Sequence, residues 1–444
     1  MKKFITLKNG LNILYYPMEN THSVTFGLYV KAGLGYNDEK KQGITHFLEH
    51  LHFRRLGDIS QNELYYKMEC MGSTLRASTY KDFLKFSMKI IPEYLEQILE
   101  IFVHIINAME WTDEEFEREK QVVINQILER GDYLTLGQEV NKVVFKDHVL
   151  SENIMGSIDS VKSISIDDIK EYKKECFKAP NILVCITGNV KKDDFDIAKN
   201  VLQNLSLECN QNKKIIQVPK RFFHRKPDIT FALVKDDNPL EIDLSFDLMC
   251  EKIPKEYVTI LNCILGEGVG SRLQKCIREE KGYTSDVASY IEWYKGFGVL
   301  HITFSLEKKL LLPCLRDVIG ILNEMKREIS KHDLDVSLPF YITNSIFYED
   351  DTEEKNFQLG YNAFILECEE NYQHLCDEQE SIIRLQECAK TIFVTQNASC
   401  VILGNTYDVT KKSIRTILGE LQNERFLDFF RQSLSNTGND EIWS

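Results

Sequence analysis

A short pattern occurs twice in this sequence and divides the chain into two similar halves. Residues 185–189 read CITGN and residues 401–405 read VILGN, and each is the end of an apolar strand that closes in Gly-Asn before a helix. The two glycines lie 216 positions apart, 404 minus 188. So short a pattern can arise by chance, but the segments around it restart in a matching plan, which indicates internal duplication.

The length of the chain agrees with a division in two. A sequence of 444 residues is too long for one ordinary core and predicts at least two domains. Residues 207–227 are polar, basic and interrupted twice by proline, as is typical of a linker. The sequence therefore predicts a first domain at 1–206, a linker at 207–227 and a second domain at 228–444.

The first half alternates strand and helix patterns. Its first 32 residues predict a hairpin around Asn9-Gly10 and then a longer strand. Two helices are predicted next, the first beginning near Gln42, followed by paired strands. Thr112 with Glu115 three residues later forms a capping box, which predicts the start of a long charged helix.

The first of those helices carries the motif HFLEH at residues 46–50. His46 and His50 are four residues apart, so a helix places both imidazoles on one face, where they can hold one divalent metal ion. Glu49 lies beside them and can take a proton from a metal-activated water. This is the H-x-x-E-H order of the inverzincins. The alternative is an amphipathic helix that happens to carry polar residues, but three matching residues in five favour metal chemistry.

Charge and cysteine content exclude several classes of function. The net charge of −14 argues against nucleic-acid and anionic-membrane partners, because both need a positive protein surface. No run approaches the roughly 20 apolar residues of a membrane span. Lys8, Asn9 and Gly10 interrupt the apolar start too early for a signal peptide. The twelve cysteines form no C-x-x-C pair, as expected of reduced thiols, so a cytoplasmic location is predicted.

Beyond these patterns, the sequence resembles the pitrilysin group of inverzincin metallopeptidases, especially the short two-domain branch with the mitochondrial processing peptidase subunits and bacterial relatives. The resemblance rests on GITHFLEHLHF at 43–53, FEREKQVVINQI at 116–127, GSRLQKCIREEKGY at 270–283 and the repeat. It implies an α+β fold of two homologous domains, each a mostly antiparallel sheet packed with helices. It also implies a clamshell dimer whose chamber admits peptides, and Zn²⁺ as cofactor.

The resemblance assigns zinc ligands to His46 and His50 and the general base to Glu49. The third ligand of the family is a glutamate, and Gln126 occupies its position, 76 residues after His50 (126 minus 50). An amide oxygen can bind zinc but brings no negative charge, so weaker binding or a more exchangeable metal is expected. Glu119, seven residues before Gln126, resembles a supporting glutamate of the family.

Two further groups of residues carry weaker expectations. Glu129, three residues after Gln126, can either support the site or belong to a solvated helix face. In the second half, the resemblance places a substrate-holding arginine at Arg278 and its tyrosine partner at Ser285. Tyr283 lies two residues earlier and would share a face with position 285 if this stretch were a strand. The alternative is a glycine turn before an ordinary strand.

Two functions agree with the sequence. The first is a zinc-dependent endopeptidase that cuts short or unfolded peptides, such as a leader or precursor peptide, as a homodimer or with a related chain. The second is a catalytically degenerate subunit that binds peptide or scaffolds an active partner. HFLEH favours the first; Gln126 and Ser285 favour the second.

Overall fold

The computed structural model describes residues 2–36, 41–130, 134–210, 226–234, 239–251, 253–368 and 378–421, together with Pro219 and Phe222. The chain forms two compact units. Unit 1 contains residues 1–133, 145–219 and 342–370, and unit 2 contains 134–144, 220–341 and 371–444. Each half of the chain therefore contributes one segment to the unit built mainly from the other half. Most of the predicted linker at 207–227 lies outside the described residues.

Unit 1 is built on a six-stranded sheet in the order β1-β2-β8-β3-β7-β6. Its strands are β1 Lys3–Thr6, β2 Asn12–Pro17, β3 Val24–Val30, β6 Arg76–Thr79, β7 Leu84–Ile90 and β8 Ile182–Gly188, and a separate small hairpin joins β4 Arg55–Leu56 to β5 Ile59–Ser60. Only the β2–β8 pair is parallel; the other four pairs are antiparallel. The predicted hairpin is β1–β2, with Gly10 at positive φ in its turn.

Helices cover one face of this sheet and enclose the main core. They are α1 Ile44–Arg54, α2 Gln61–Cys70, α3 Leu95–Asn107, α4 Asp113–Arg130, α6 Ile158–Ser163, α7 Ile166–Cys176 and α8 Lys192–Gln203; α5 Leu136–Val144 belongs to unit 2. Their apolar residues pack against Phe26, Leu28 and Phe86 of the sheet. α4 begins as predicted, because Thr112 and Glu115 exchange both capping hydrogen bonds.

Unit 2 repeats the architecture of unit 1 on a five-stranded sheet in the order β11-β12-β10-β13-β9. Its strands are β9 Asp228–Leu233, β10 Leu240–Met249, β11 Val287–Tyr294, β12 Phe297–Leu306 and β13 Ala398–Gly404. The helices that follow α5 are α9 Lys255–Leu265, α10 Leu311–Arg327, α11 Lys331–Phe347, α12 Thr352–Gly360, α13 Glu378–Ile392 and α14 Lys411–Leu418. Of these, α11 runs from unit 2 into unit 1, and α12 lies in unit 1.

Five of the six strands in the sheet of unit 1 match the five strands of unit 2 in order and direction, which confirms the predicted duplication. β2 pairs parallel with β8, and β8, β3, β7 and β6 follow in antiparallel pairs; β9, β13, β10, β12 and β11 repeat that ladder. The repeated glycines end β8 and β13 with φ of 117° and 132°, a conformation that favours glycine. At Gly188 an added Cβ would also lie 2.2 Å from the Ser23 carbonyl oxygen.

The second face of each sheet is covered by an exchanged segment. In unit 1, α12 packs on β3 and β8, and in unit 2, α5 packs on β9, β10 and β13. Within the described residues, no helix is both long and apolar enough to cross a membrane.

Candidate metal centre and active site

The α1 helix presents the HFLEH motif because its two faces differ in polarity. Phe47, Leu48 and Leu51 are fully buried in the core of unit 1. His46 and His50 point away from that core with their rings 4.6 Å apart, centroid to centroid. This is the arrangement that the four-residue spacing predicts for a helix.

Helix α4 packs on α1 and places Gln126 beside the first histidine. Gln126 Oε1 lies 3.1 Å from His46 Nε2. Two donors on one tetrahedral zinc, each about 2.0–2.1 Å from the ion, lie about 3.3–3.4 Å apart. At the observed separation the two atoms form a hydrogen bond. A displacement of a few tenths of an ångström would let both bind the same zinc ion.

The second histidine is oriented by Glu119, one of the few buried carboxylates of unit 1. Glu119 Oε1 lies 2.7 Å from His50 Nδ1, and Arg54 Nε donates to Glu119 Oε2. Burial alone raises the pKa of Glu119, but the hydrogen bonds from His50 and Arg54 outweigh burial and lower it. An ionised Glu119 accepts a hydrogen bond from the Nδ1–H of His50, which leaves Nε2 as the nitrogen able to bind a metal.

Glu49 is held by the edge of the sheet. The Thr79 hydroxyl, on β6, donates to Glu49 Oε2 at 2.5 Å. Burial raises the pKa of Glu49, but His46 and this hydrogen bond outweigh burial and lower the pKa. Glu49 is consequently ionised at neutral pH and able to accept a proton.

These residues fit a zinc ion. Two imidazoles and an amide oxygen are all donors that zinc accepts, and a catalytic site holds three protein donors plus water. In the described part of the chain, no group of three or more His, Cys, Asp or Glu side chains is placed to hold a metal. The amide oxygen of Gln126, 3.1 Å from His46 Nε2, can serve as a third donor.

The remaining residues around the motif have structural partners. Arg55 pairs with Glu115 at 2.9 Å, so both arginines after the motif contact acidic side chains. Glu129 is exposed at the end of α4, and among the described contacts no hydrogen bond or ion pair joins it to either histidine. The arrangement thus favours a solvated helix face for Glu129.

His52 is fully buried on the opposite side of α1. Its Nδ1 donates to the Leu48 carbonyl at 2.7 Å, and its Nε2 faces Lys173 Nζ at 2.9 Å. Burial and the Lys173 charge lower the pKa of His52 well below the ordinary value, so the ring is neutral with one donor and one acceptor. His52 is therefore not placed to bind the same metal as His50.

The predicted substrate-holding residues lie in unit 2 on less regular backbone than expected. Arg278 belongs to a π-helical segment, Gln274–Glu280, and its side chain is 45% exposed beside Glu279. Tyr283 donates its hydroxyl to Asp317 at 2.9 Å, and Ser285 is exposed. The strand β11 starts only at Val287, so positions 283 and 285 do not share a strand face.

Three residues that support the site were not anticipated from the sequence. Thr79 aligns Glu49, Arg54 secures Glu119, and Lys173 contacts the back of α1. Only Lys173 had a readable signal, because it occurs on the apolar stripe of α7 with Ile169 and Cys176. The roles of Thr79 and Arg54 depend on tertiary packing.

Comparison with known proteins defines the family. Residues 13–157 match the model for insulinase, peptidase family M16, and residues 163–337 match the model for the peptidase M16 inactive domain. The chain therefore belongs to peptidase family M16, the pitrilysin-type family. The absence of HFLEH from the second half agrees with the description of the second model.

Individual relatives agree with this assignment. The chain is 23% identical to the uncharacterized zinc protease YmxG of Bacillus subtilis over 409 residues, 90% of this chain and 98% of the relative. It is 32% identical to the human mitochondrial-processing peptidase subunit beta over 181 residues, 39% of this chain and 36% of that subunit. The crystal structure of a protease from Helicobacter pylori has a TM-score of 0.78 at 21% identity, over 91% of this chain and 99% of that one. This likeness confirms the mixed α+β fold of two similar domains.

Proposed function

We propose that this chain is a zinc-dependent metalloendopeptidase that cleaves short or unfolded peptides, including leader or precursor peptides. The observation that carries the proposal is the 3.1 Å approach of Gln126 Oε1 to His46 Nε2, with Glu49 on the same helix. It supports a shared metal position beside an ionised carboxylate. The zinc proteases among the relatives support the same class of reaction.

Each side chain has a defined part in the proposed reaction. His46, His50 and Gln126 would hold the zinc ion, which supplies Lewis acidity and lowers the pKa of water toward neutrality. Glu49 accepts a proton from the attacking water and returns it to the leaving amine. Thr79 keeps one oxygen of Glu49 in place, and Glu119 orients His50.

The edge of the sheet in unit 1 supports an extended peptide as substrate. β6 is the last strand of the sheet and pairs only with β7 among the described strands. Its outer backbone groups can add a peptide strand, and such pairing selects chains that are short or unfolded. Because Thr79 of β6 touches Glu49, a peptide added there would lie beside the proposed base.

The proposal extends to a dimeric chamber in the cytoplasm. Arg278 is exposed and suited to hold a peptide carbonyl or carboxylate of substrate bound to a partner chain, with Ser285 as a nearby hydroxyl. For Tyr283 to contact the substrate, its hydroxyl would first have to break the hydrogen bond to Asp317. Free buried thiols such as Cys176, Cys185 and Cys400 support a reducing compartment.

A second candidate function is a non-catalytic subunit that binds peptide for an active partner. The neutral Gln126 supports it, because two imidazoles and an amide leave the charge of zinc uncompensated by any direct ligand. Tyr283, engaged with Asp317, supports it as well.

Metal content and cleavage separate the two functions. We expect the purified wild-type chain to bind one zinc ion. The Glu49→Gln variant should keep the zinc but no longer cleave unfolded peptides. The Gln126→Glu variant should bind zinc about tenfold or more tightly than wild type. Glu129→Gln is the matched control on α4 and should change neither zinc affinity nor peptide cleavage. If the chain alone and with a related partner is inactive, and Gln126→Glu restores nothing, the enzyme proposal is wrong and the second function stands.

A further inference from the structure

A lysine lies completely buried behind the helix that carries the histidines. Lys173, on α7, is 1% exposed. Its Nζ donates to the Ile105 carbonyl at 2.8 Å and to the Ala108 carbonyl, both at the C-terminal end of α3. The third contact is with His52 Nε2 at 2.9 Å. One amino group thus joins α1, α3 and α7.

Lysine is an energetically unfavourable residue at the core position of Lys173. Its neighbours on the buried face of α7 are apolar or aromatic, including Ile169 and Tyr172, and Phe177 follows the helix with its ring 4.8 Å from Nζ. A buried amine costs several kcal/mol in lost hydration unless all its protons find acceptors, and an apolar residue of similar volume often stabilises such a site better. Packing alone therefore does not account for lysine here, whereas the link to three acceptors does.

The link reaches the metal face of α1 through the helix itself. His52 follows His50 by two residues, a turn of about 200°, so it projects from nearly the opposite side. Its ring is enclosed by Phe86, Trp111 and Phe177, at centroid distances of 5.0, 6.1 and 5.8 Å. Trp111 also donates to the Leu51 carbonyl at 2.9 Å. The buried side of α1 is consequently held by directional contacts as well as by packing.

A small rotation of α1 would matter at the histidines. Side-chain tips lie about 5–6 Å from a helix axis, so a rotation of about 10° moves a ring nitrogen by about 1 Å. Metal–ligand distances tolerate only about 0.2 Å, and a 1 Å error near reacting groups can cost on the order of a hundredfold in rate.

We propose that Lys173 is a positioning residue: through His52 it fixes the rotation of α1 and so holds His46, His50 and Glu49 in the geometry that zinc binding and hydrolysis need. The consequences for zinc and hydrolysis rest on the function proposed above. The positioning of α1 does not, because it can be measured on the protein without metal.

Two variants test the link and one controls for packing. Lys173→Met keeps the length of the side chain and removes the amine. His52→Phe keeps a ring among the same aromatic neighbours and removes the Nε2 acceptor together with the Nδ1 donor to the Leu48 carbonyl. It serves as the second link variant if Lys173→Met does not fold. Ile169→Val, on the same face of α7, trims a fully buried side chain that has no polar link to α1.

Amide hydrogen exchange of residues 44–54 is the direct measurement. We expect both link variants to speed exchange in α1 by about tenfold or more relative to Ile169→Val, with β10 of unit 2 unchanged. We also expect zinc affinity and kcat to fall about tenfold or more while KM stays within about twofold.

The outcomes distinguish this inference from the proposed function. Wild-type protein without zinc or cleavage contradicts the proposed function, and exchange in α1 then decides the inference alone. Unchanged α1 exchange in both link variants overturns the inference. So does a loss of protection spread evenly over unit 1 as in Ile169→Val, because that is the behaviour of a residue that only packs.

Discussion

At the scale of single residues, Glu119 is placed to support the proposed metal site through His50. It accepts from His50 Nδ1 and from Arg54, and it is 4% exposed. We predict that Glu119→Gln weakens zinc binding by about 10–100-fold, because the amide no longer fixes the His50 tautomer with a negative charge. Competition with a chelator measures the affinity.

Glu115 provides the matched control for that measurement. It lies one turn earlier on α4 and pairs with Arg55 as Glu119 pairs with Arg54, but it does not contact a histidine. Glu115→Gln should leave zinc affinity within about twofold of wild type, since the ion pair of Glu115 with Arg55 orients neither histidine. Equal losses in both variants would mean that the charge of α4, rather than the orientation of His50, controls the affinity.

The sequence predicts the site residues unequally. Helical spacing is enough to place His46 and His50 together with Glu49 beside them. Gln126 needed the resemblance, because no local rule relates residues 76 positions apart. Thr79 could not be predicted, since its contact with Glu49 depends on how β6 packs against α1, and the spacing within either element does not determine that packing.

At the scale of elements, α12 is attached to the sheet of unit 1 by buried hydrogen bonds. Asn356 is fully buried and donates to the Thr25 and Cys185 carbonyls at 3.1 and 2.8 Å, while Tyr29 donates to Asn356 Oδ1 at 3.1 Å. Gly27 leaves the necessary room, because a Cβ there would lie 2.1 Å from that oxygen. Buried hydrogen bonds of this kind specify one position of α12 on the sheet.

We predict that Asn356→Leu lowers the free energy of unfolding by about 2–4 kcal/mol. The change removes the side-chain donor to the Thr25 and Cys185 carbonyls, while the Tyr29 hydroxyl keeps the backbone carbonyl of residue 356 as its acceptor. Losing that donor from buried carbonyls costs more than the apolar side chain gains. Urea unfolding followed by circular dichroism measures the effect. Glu354→Leu, exposed on the same helix, should change stability by less than about 0.5 kcal/mol; a similar loss in both variants would contradict the argument.

The start of α11 predicts a dependence of stability on pH. Burial raises the pKa of Asp333, but hydrogen bonds from Arg272 and from Ser330 outweigh burial and hold the pKa below 3.8. A depressed folded-state pKa stabilises above the unfolded value and loses that effect as pH falls through the folded value. Asp333→Asn should therefore be less stable than wild type at pH 6, and the difference should shrink below about pH 4.

Thermal unfolding of both proteins from pH 6 to pH 3 measures this difference. Asp335, on the same helix and exposed, provides the control through Asp335→Asn. A gap between Asp333→Asn and wild type that stays constant over the whole range would show that shape, rather than the charge of Asp333, is responsible.

Turn and capping chemistry predicted the first hairpin and the start of α4, because these signals are local. Two features of the elements were not predictable. The segment before β11 ends a π-helix rather than forming a strand, and Tyr283 turns to Asp317. The exchange of α5 and α12 between the units was also hidden, since an amphipathic pattern does not say which sheet it will cover.

At the scale of the whole molecule, duplication has left one metal motif in a chain with two similar units. α9 follows β10 as α1 follows β3, but it carries no histidine. A chamber formed by two chains, as proposed above, would give the second unit a use, because Arg278 of one chain could hold the substrate of its partner. The proposal makes activity depend on residues contributed by both chains.

Mixing two inactive chains tests this dependence. Glu49→Gln removes the base, and Arg278→Ala removes the proposed substrate contact. If each site uses the base of one chain and the arginine of the other, a refolded equimolar mixture forms mixed dimers with one intact site, and about a quarter of wild-type activity returns. If both residues serve the same chain, every site stays defective and the mixture remains inactive.

Sedimentation of the wild-type chain, 51.7 kDa as a monomer, shows whether the dimer forms at all. A monomer with full activity would contradict the shared chamber directly, because no partner would be present to supply Arg278.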